Sequence, residues 1–138
     1  MITDDIALWA LSERVIGCAV EVHKTLGPGL LESVYQECLI AEFDSAHLAF
    51  ESERYVPIEY KGRRMKGVLK LDLLVEDSIV VELKAVDSLH PVHQAQVITY
   101  LKLIGRPAGL IFNFNVTVLK HGLKRVDHPE RYKRTQNL

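Results

Sequence analysis

From about Asp4 to Lys24 the apolar positions recur every three or four residues, with Leu8, Leu11, Val15, Ala19 and Val22 on one stripe. That is the period of an amphipathic α-helix, and Asp4 and Asp5 sit where they complement its positive end. Gly27-Pro28-Gly29 breaks the chain, and a second helix is predicted just after it, with Leu31, Val34, Cys38 and Ala41 on its core face. From Phe50 the texture changes to three β-rich runs separated by short polar turns, around Tyr55–Tyr60, in "VLKLDLLV" and in "SIVVELKAV", which predicts a meander. Helical spacing returns in "HPVHQAQVITYLKLIG", where Val92, Ala95, Ile98 or Thr99 and Leu103 share a face and Gly105 and Pro107 end the helix. "AGLIFNFNV" reads as a further strand, with Asn113 and Asn115 facing opposite to Phe114 at its end, and Leu123 to Val126 as a last one. The order α-α-β-β-β-α-β-β predicts an α/β fold in which a mixed sheet is flanked by helices.

The central strands carry charges where apolar residues would pack better. Odd positions Leu69, Leu71, Leu73 and Val75, then Ile79, Val81, Leu83 and Ala85, form an unbroken apolar face, while Lys70, Asp72, Glu82 and Lys84 all fall on the even one. Only an odd-numbered loop keeps both apolar sets on one side, so Glu76-Asp77-Ser78 is predicted to pair Val75 with Ile79 and to bring Asp72 opposite Glu82. Opposed Cβ atoms lie about 4.5–5.5 Å apart, and two carboxylates so placed repel unless a cation lies between them. Oxygen ligands of this kind suit Mg²⁺ or Mn²⁺, and Lys84 is then placed to hold a phosphate or orient a water. A plain ion pair of Glu82 with Lys84, with Asp72 paired to Lys70 or Lys84, accounts for the same spacing.

Length and composition bound the rest. With 138 residues, 48% hydrophobic and 25% charged, the chain has the size of a single domain over 1–138 with a real core. Seventeen Lys and Arg against eighteen Asp and Glu leave a net charge of −1, so a polyanion site must be local. Charges such as Glu13, Arg14 and Glu21 interrupt every long apolar stretch, which excludes a membrane span and a signal peptide and makes a cytoplasmic protein the expectation. Cys18 and Cys38 lie in helical apolar patterns without zinc-type spacing and read as reduced core thiols. Trp9 reads as a core or interface anchor. A basic tail from about 127, continuing Lys120, Lys124 and Arg125 with Arg131, Lys133 and Arg134, reads as a solvated terminus with fraying last residues or as a phosphate-binding flank.

Asp72…Glu82-Leu83-Lys84 on consecutive strands, followed by a helix bearing Gln96 and Tyr100, resembles the PD-(D/E)XK nuclease superfamily, in particular its RecB-like branch. Gly29-Leu-Leu-Glu32-Ser-Val-Tyr35 is similar to the signature of the GxxExxY proteins assigned to that superfamily, and "LGPGLLESVY", "DLLVEDSIVVELKAV", "PVHQAQVITYL" and "FNFNV" resemble that family's blocks from about Val15 to Val126. Leu71 stands where the superfamily's name has proline. The resemblance implies a restriction-endonuclease-like fold and a Mg²⁺- or Mn²⁺-dependent nuclease acting on nucleic acid, DNA before RNA, with structure- or partner-directed cleavage. It implies Glu32, Asp72, Glu82 and the Leu83 carbonyl as metal ligands, Lys84 as the catalytic lysine with Asp72, Glu82 and Gln96, and Tyr100 and Tyr35 toward the substrate. His93, three positions before Gln96 on the same side, reads as a surface histidine at the helix start or as a DNA contact. A homodimer would help so small a domain span a duplex. The alternative is a catalytically inactive nucleic-acid-binding or protein-interaction module that keeps the fold.

Overall fold

The computed structural model describes residues 1–131. Lys133, Arg134 and the expected frayed end of the tail lie outside the described residues. Helix α1 (Asp5–Leu26) is capped by Asp4, whose carboxylate accepts the Ala7 N–H at 2.8 Å, and it buries the expected stripe of Leu8, Leu11, Val15, Ala19 and Val22. Helix α2 (Glu32–Ser45) follows the Gly-Pro-Gly break, but it turns Tyr35, Leu39 and Phe43 inward and leaves Leu31, Val34 and Ala41 exposed, a correction to the expected face. The inward stripe carries two rings: Tyr35 stacks on Phe114 with centroids 4.3 Å apart, and Phe43 lies 5.8 Å from Phe50. Burying those rings removes more apolar area from water than burying Leu31, Val34 and Ala41 would.

Strands β1 (Phe50–Tyr60), β2 (Arg63–Val75) and β3 (Ile79–Lys84) form the expected antiparallel meander. Helix α3 (Pro91–Ile104) carries the chain over to β4 (Ala108–Asn113), which pairs parallel with β3, and a short 3₁₀ turn (Leu119–Gly122) leads to β5 (Leu123–Asp127), antiparallel to β4. The five-stranded mixed sheet of the described residues thus follows chain order, flanked by helices as expected of a restriction-endonuclease-like fold. α1 and α2 pack on Leu73, Val75, Ile79, Val81 and Leu83 of one face. α3 covers the other with Val97, Tyr100 and Leu101, against Leu71, Leu74, Val80 and Ile111. It does not use the expected Val92 and Ala95, which are exposed. β3 is therefore buried on both faces, which is why its apolar run is nearly continuous.

The odd-numbered apolar face is not unbroken. Leu73 and Val75 face α1 and α2, whereas Leu69 and Leu71 belong to the α3 side together with Leu74. The alternation of β2 breaks at Asp72, across from Glu53, which takes φ 53°, while the register is kept from Ser52↔Leu73 to Arg54↔Leu71 and shifts only between Pro57 and Glu59.

Trp9 lies on the surface, not in the core, with the Arg125 guanidinium 4.2 Å from its ring. Arg125 is also paired with Glu13, and Arg131 with Asp5 and Asp127, so these two cations of the expected basic flank are bound within the fold. Cys18 is buried and Cys38 half-buried, both free. Among the described residues no helix is long and apolar enough to cross a membrane.

Candidate active site

The turn after β2 has the three residues its pattern required, and Leu73↔Val81, Leu74↔Val80 and Val75↔Ile79 pair as expected. Ser78 closes the turn, its N–H donating to the Val75 carbonyl at 2.9 Å. Beyond Leu73↔Val81 the strands are joined through side chains instead of a continued ladder. The Asp72 N–H donates to Glu82 Oε1 at 3.2 Å, and the Leu83 N–H donates to Asp72 Oδ2 at 2.9 Å. The two carboxylates expected to meet are thus brought together, each holding the opposite strand.

Glu82 is 4% exposed. Burial first, then the neighbouring Asp72 carboxylate, pushes its pKa up to about 8. The ion-pair alternative is not realised: Lys70 pairs with Glu53 at 3.8 Å, and no salt bridge joins Asp72 or Glu82 to a lysine among the described residues. The half-buried Lys84 ammonium makes neither hydrogen bond nor ion pair there.

The chain after Lys84 is clamped from two sides. Its carbonyl accepts the Phe114 N–H at 2.9 Å, and Glu32 Oε1, at the start of α2, accepts the Ala85 N–H at 3.2 Å. Asn113, at the end of β4, accepts the Val86 N–H at 3.1 Å and donates to the Val86 carbonyl at 2.9 Å. A strand end near the site is the signal the sequence carries for Asn113, and it does not point to this clamp. Its partner lies 27 positions away.

On α3, Tyr100 is buried, and its pKa is pushed up to about 12 by burial and then by the charges of Glu82 and Asp72, with a Gln96 hydrogen bond acting the other way. Gln96 and Tyr100 therefore lie one turn apart beside the acid pair. His93 takes the His90 N–H on Nδ1 at 3.1 Å. Burial, then Lys84 and His90, hold its pKa below the usual histidine range, so it too stands near the lysine. Val92, His93, Ala95, Gln96 and Thr99 line an open hollow of about 340 Å³. Tyr35 is elsewhere: it is wholly buried, and its hydroxyl donates to the Gly27 carbonyl at 2.6 Å and accepts the Leu30 N–H at 3.2 Å, anchoring the loop that presents Glu32.

Among the described residues no three His, Cys, Asp or Glu side chains are grouped as a metal site, because Glu32 stands at Ala85 and not at the acid pair. The donors that do meet are two carboxyl groups, both offering oxygen, and Glu82 holds its proton to about pH 8 because of its burial first and the Asp72 charge second. A hard divalent cation fits that set, since its charge would offset both the burial and the like charge of Asp72 that raise the Glu82 pKa.

No curated protein and no solved structure matches the chain. The sequence model of the PD-(D/E)XK nuclease superfamily matches residues 10–126, a span that takes in Glu32, Asp72, Glu82, Lys84, Gln96 and Tyr100, and the chain belongs to that superfamily.

Proposed function

We propose that the protein is a Mg²⁺- or Mn²⁺-dependent nuclease that hydrolyses phosphodiester bonds in DNA, and that within its superfamily it stands with the GxxExxY proteins near the RecB-like branch. The observation that carries this reading is the contact of Asp72 with Glu82 beside a lysine that has no partner of its own. Nucleases of this superfamily generally use divalent metals. Asp72, Glu82 and the Leu83 carbonyl would hold the cation, with Glu32 as a further acid at the strand end. When bound, the cation supplies Lewis-acid polarisation of the phosphoryl group and neutralises the acid pair.

The chain's own residues do the rest. Lys84 faces the scissile phosphate and orients the attacking water, and its ammonium offsets charge on the phosphoryl oxygens. Gln96 and Tyr100 position phosphate and lysine from α3, and His93 meets the nucleic acid at the helix start. The clamp by Asn113 keeps the chain after Lys84 from fraying. A domain of this size without an evident base-reading helix favours structure- or partner-directed cleavage over sequence specificity.

A second reading, a non-catalytic nucleic-acid-binding or interaction module with the same fold, is favoured by one observation: Glu32 caps Ala85 instead of joining the acid pair. Incubation of supercoiled and branched DNA with Mg²⁺ and with Mn²⁺ decides between them. Cleavage by wild type and none by Lys84→Ala is the expected result. DNA binding without cleavage in either metal would establish the module.

A further inference from the structure

β3 stops at Lys84, but β2 does not stop at the site. Counted outward from Asp72, β2 continues to Arg63, a run of nine residues (72 − 63) paired only with β1. At about 3.3 Å per residue this is a ribbon of roughly 30 Å. Tyr60 pairs with Arg63 across a two-residue turn in which Lys61 and Gly62 take φ 52° and 77°, the left-handed pair a tight hairpin requires. Every residue from 59 to 68 is exposed, so neither face of the outer ribbon is covered. A bare two-stranded ribbon is only marginally stable alone.

Its charge indicates what covers it. Lys61, Arg63, Arg64, Lys66 and Lys70 all lie between residues 60 and 71, where there is no Asp or Glu, although the chain as a whole carries −1. Lys70 is paired with Glu53, while Lys61, Arg63, Arg64 and Lys66 form no ion pair among the described residues. Glu59, across the hairpin from Arg64, is the one acid near the tip, so the outer arm sets four cations against a single carboxylate, with Asp72 at its base. Exposed Tyr60, Met65 and Val68 are interleaved with them.

We propose that this β1–β2 arm is the element that grips the nucleic acid, lying along a DNA duplex with phosphates on Lys61, Arg63, Arg64 and Lys66 so that the strand is led to Asp72 and Glu82. The proposal rests on the nuclease reading for its orientation but not for its chemistry. A two-stranded ribbon fits the major groove, about 12 Å wide, and contacts of ammonium and guanidinium groups with phosphate need no particular sequence.

The test measures binding of a fluorescent duplex by anisotropy, in chelator and over a range of salt, for the full chain and for Lys61→Ser, Arg63→Ser, Arg64→Ser and Lys66→Ser combined. Four lost phosphate contacts lower the slope of log affinity against log salt by about 3.6 and weaken low-salt binding at least about tenfold. The melting temperature should hold, because the four side chains are exposed and form no ion pair, Lys61 meeting only the Tyr60 ring at 5.4 Å, and a charge-keeping variant, Arg63→Lys with Arg64→Lys, should keep the slope. Equal affinity and slope in the serine variant would overturn the proposal, as would a change of oligomeric state with DNA affinity unchanged, since the arm would then bind a second copy. Loss of binding in the serine variant of a protein that cleaves nothing would sustain the arm and end the nuclease reading. Equal cleavage by both proteins would do the reverse.

Discussion

Asp72 and Glu82 each hold the other's strand: Glu82 Oε1 accepts the Asp72 N–H at 3.2 Å, and Asp72 Oδ2 accepts the Leu83 N–H at 2.9 Å. Two acids kept together by backbone donors need no lysine to stay in place. Lys84 makes neither hydrogen bond nor ion pair in the fold, and its charge acts on Glu82 from a longer distance.

The same pair sets a pH dependence. Folding raises the Glu82 pKa from 4.5 to about 8, so the folded state keeps a proton that the unfolded chain gives up. The stability this group contributes is fully present below about pH 4.5 and is lost as pH rises toward about 8, beyond which the loss is complete. Glu82→Gln keeps an oxygen for the Asp72 N–H and cannot titrate. In chelator its melting temperature should exceed that of wild type by a margin that widens with pH up to about 8 and then levels. A variant less stable than wild type at every pH would mean that Glu82 is held as a favourable charge.

Lys84→Ala removes an ammonium that bonds to nothing in the fold, so its unfolding free energy should stay within about 0.5 kcal/mol of wild type. DNA cleavage should be abolished while the Mn²⁺-induced rise in melting temperature remains. Loss of stability together with metal response would make Lys84 a structural residue.

Asn113 and Gly122 together support the chain after Lys84. Asn113→Ala leaves the Val86 and Asn115 N–H groups without their acceptor and the Val86 carbonyl with only the 3.5 Å contact of Asn115 Nδ2, a cost of about 1–3 kcal/mol, and should lower turnover more than it weakens DNA binding. A Cβ at Gly122 would collide with the Asn113 carbonyl oxygen, backbone that cannot rotate away. At Gly109 it would come within 2.7 Å of a methyl of the buried Val97, so a side chain and not the backbone has to shift. Urea midpoints should therefore fall further for Gly122→Ala than for Gly109→Ala, and the opposite order would show that α3 is the less forgiving contact.

Much of this was legible because one physical constraint decided it. The turn of Glu76, Asp77 and Ser78 follows from the demand that apolar sets share a face, and with it came the meeting of Asp72 and Glu82. The same alternation failed at Leu71, beside a positive φ at Glu53 on the neighbouring strand, a residue whose type does not announce it. On α2 two apolar stripes competed, and periodicity alone does not say that Tyr35 finds Phe114. The Asn113 clamp and the contact of Glu32 with Ala85 join segments far apart in the chain, which no local pattern encodes.

The central claim is that Asp72 and Glu82 are a divalent-cation site. Calorimetric titration of Mn²⁺ into the full chain, beside Asp72→Asn and Glu82→Gln, addresses it without a substrate. Wild type should give saturable binding that both substitutions abolish, with a stabilisation of about 2.7 kcal/mol at a hundredfold excess over the dissociation constant. Absence of binding to wild type, or equal binding to all three proteins, would contradict it.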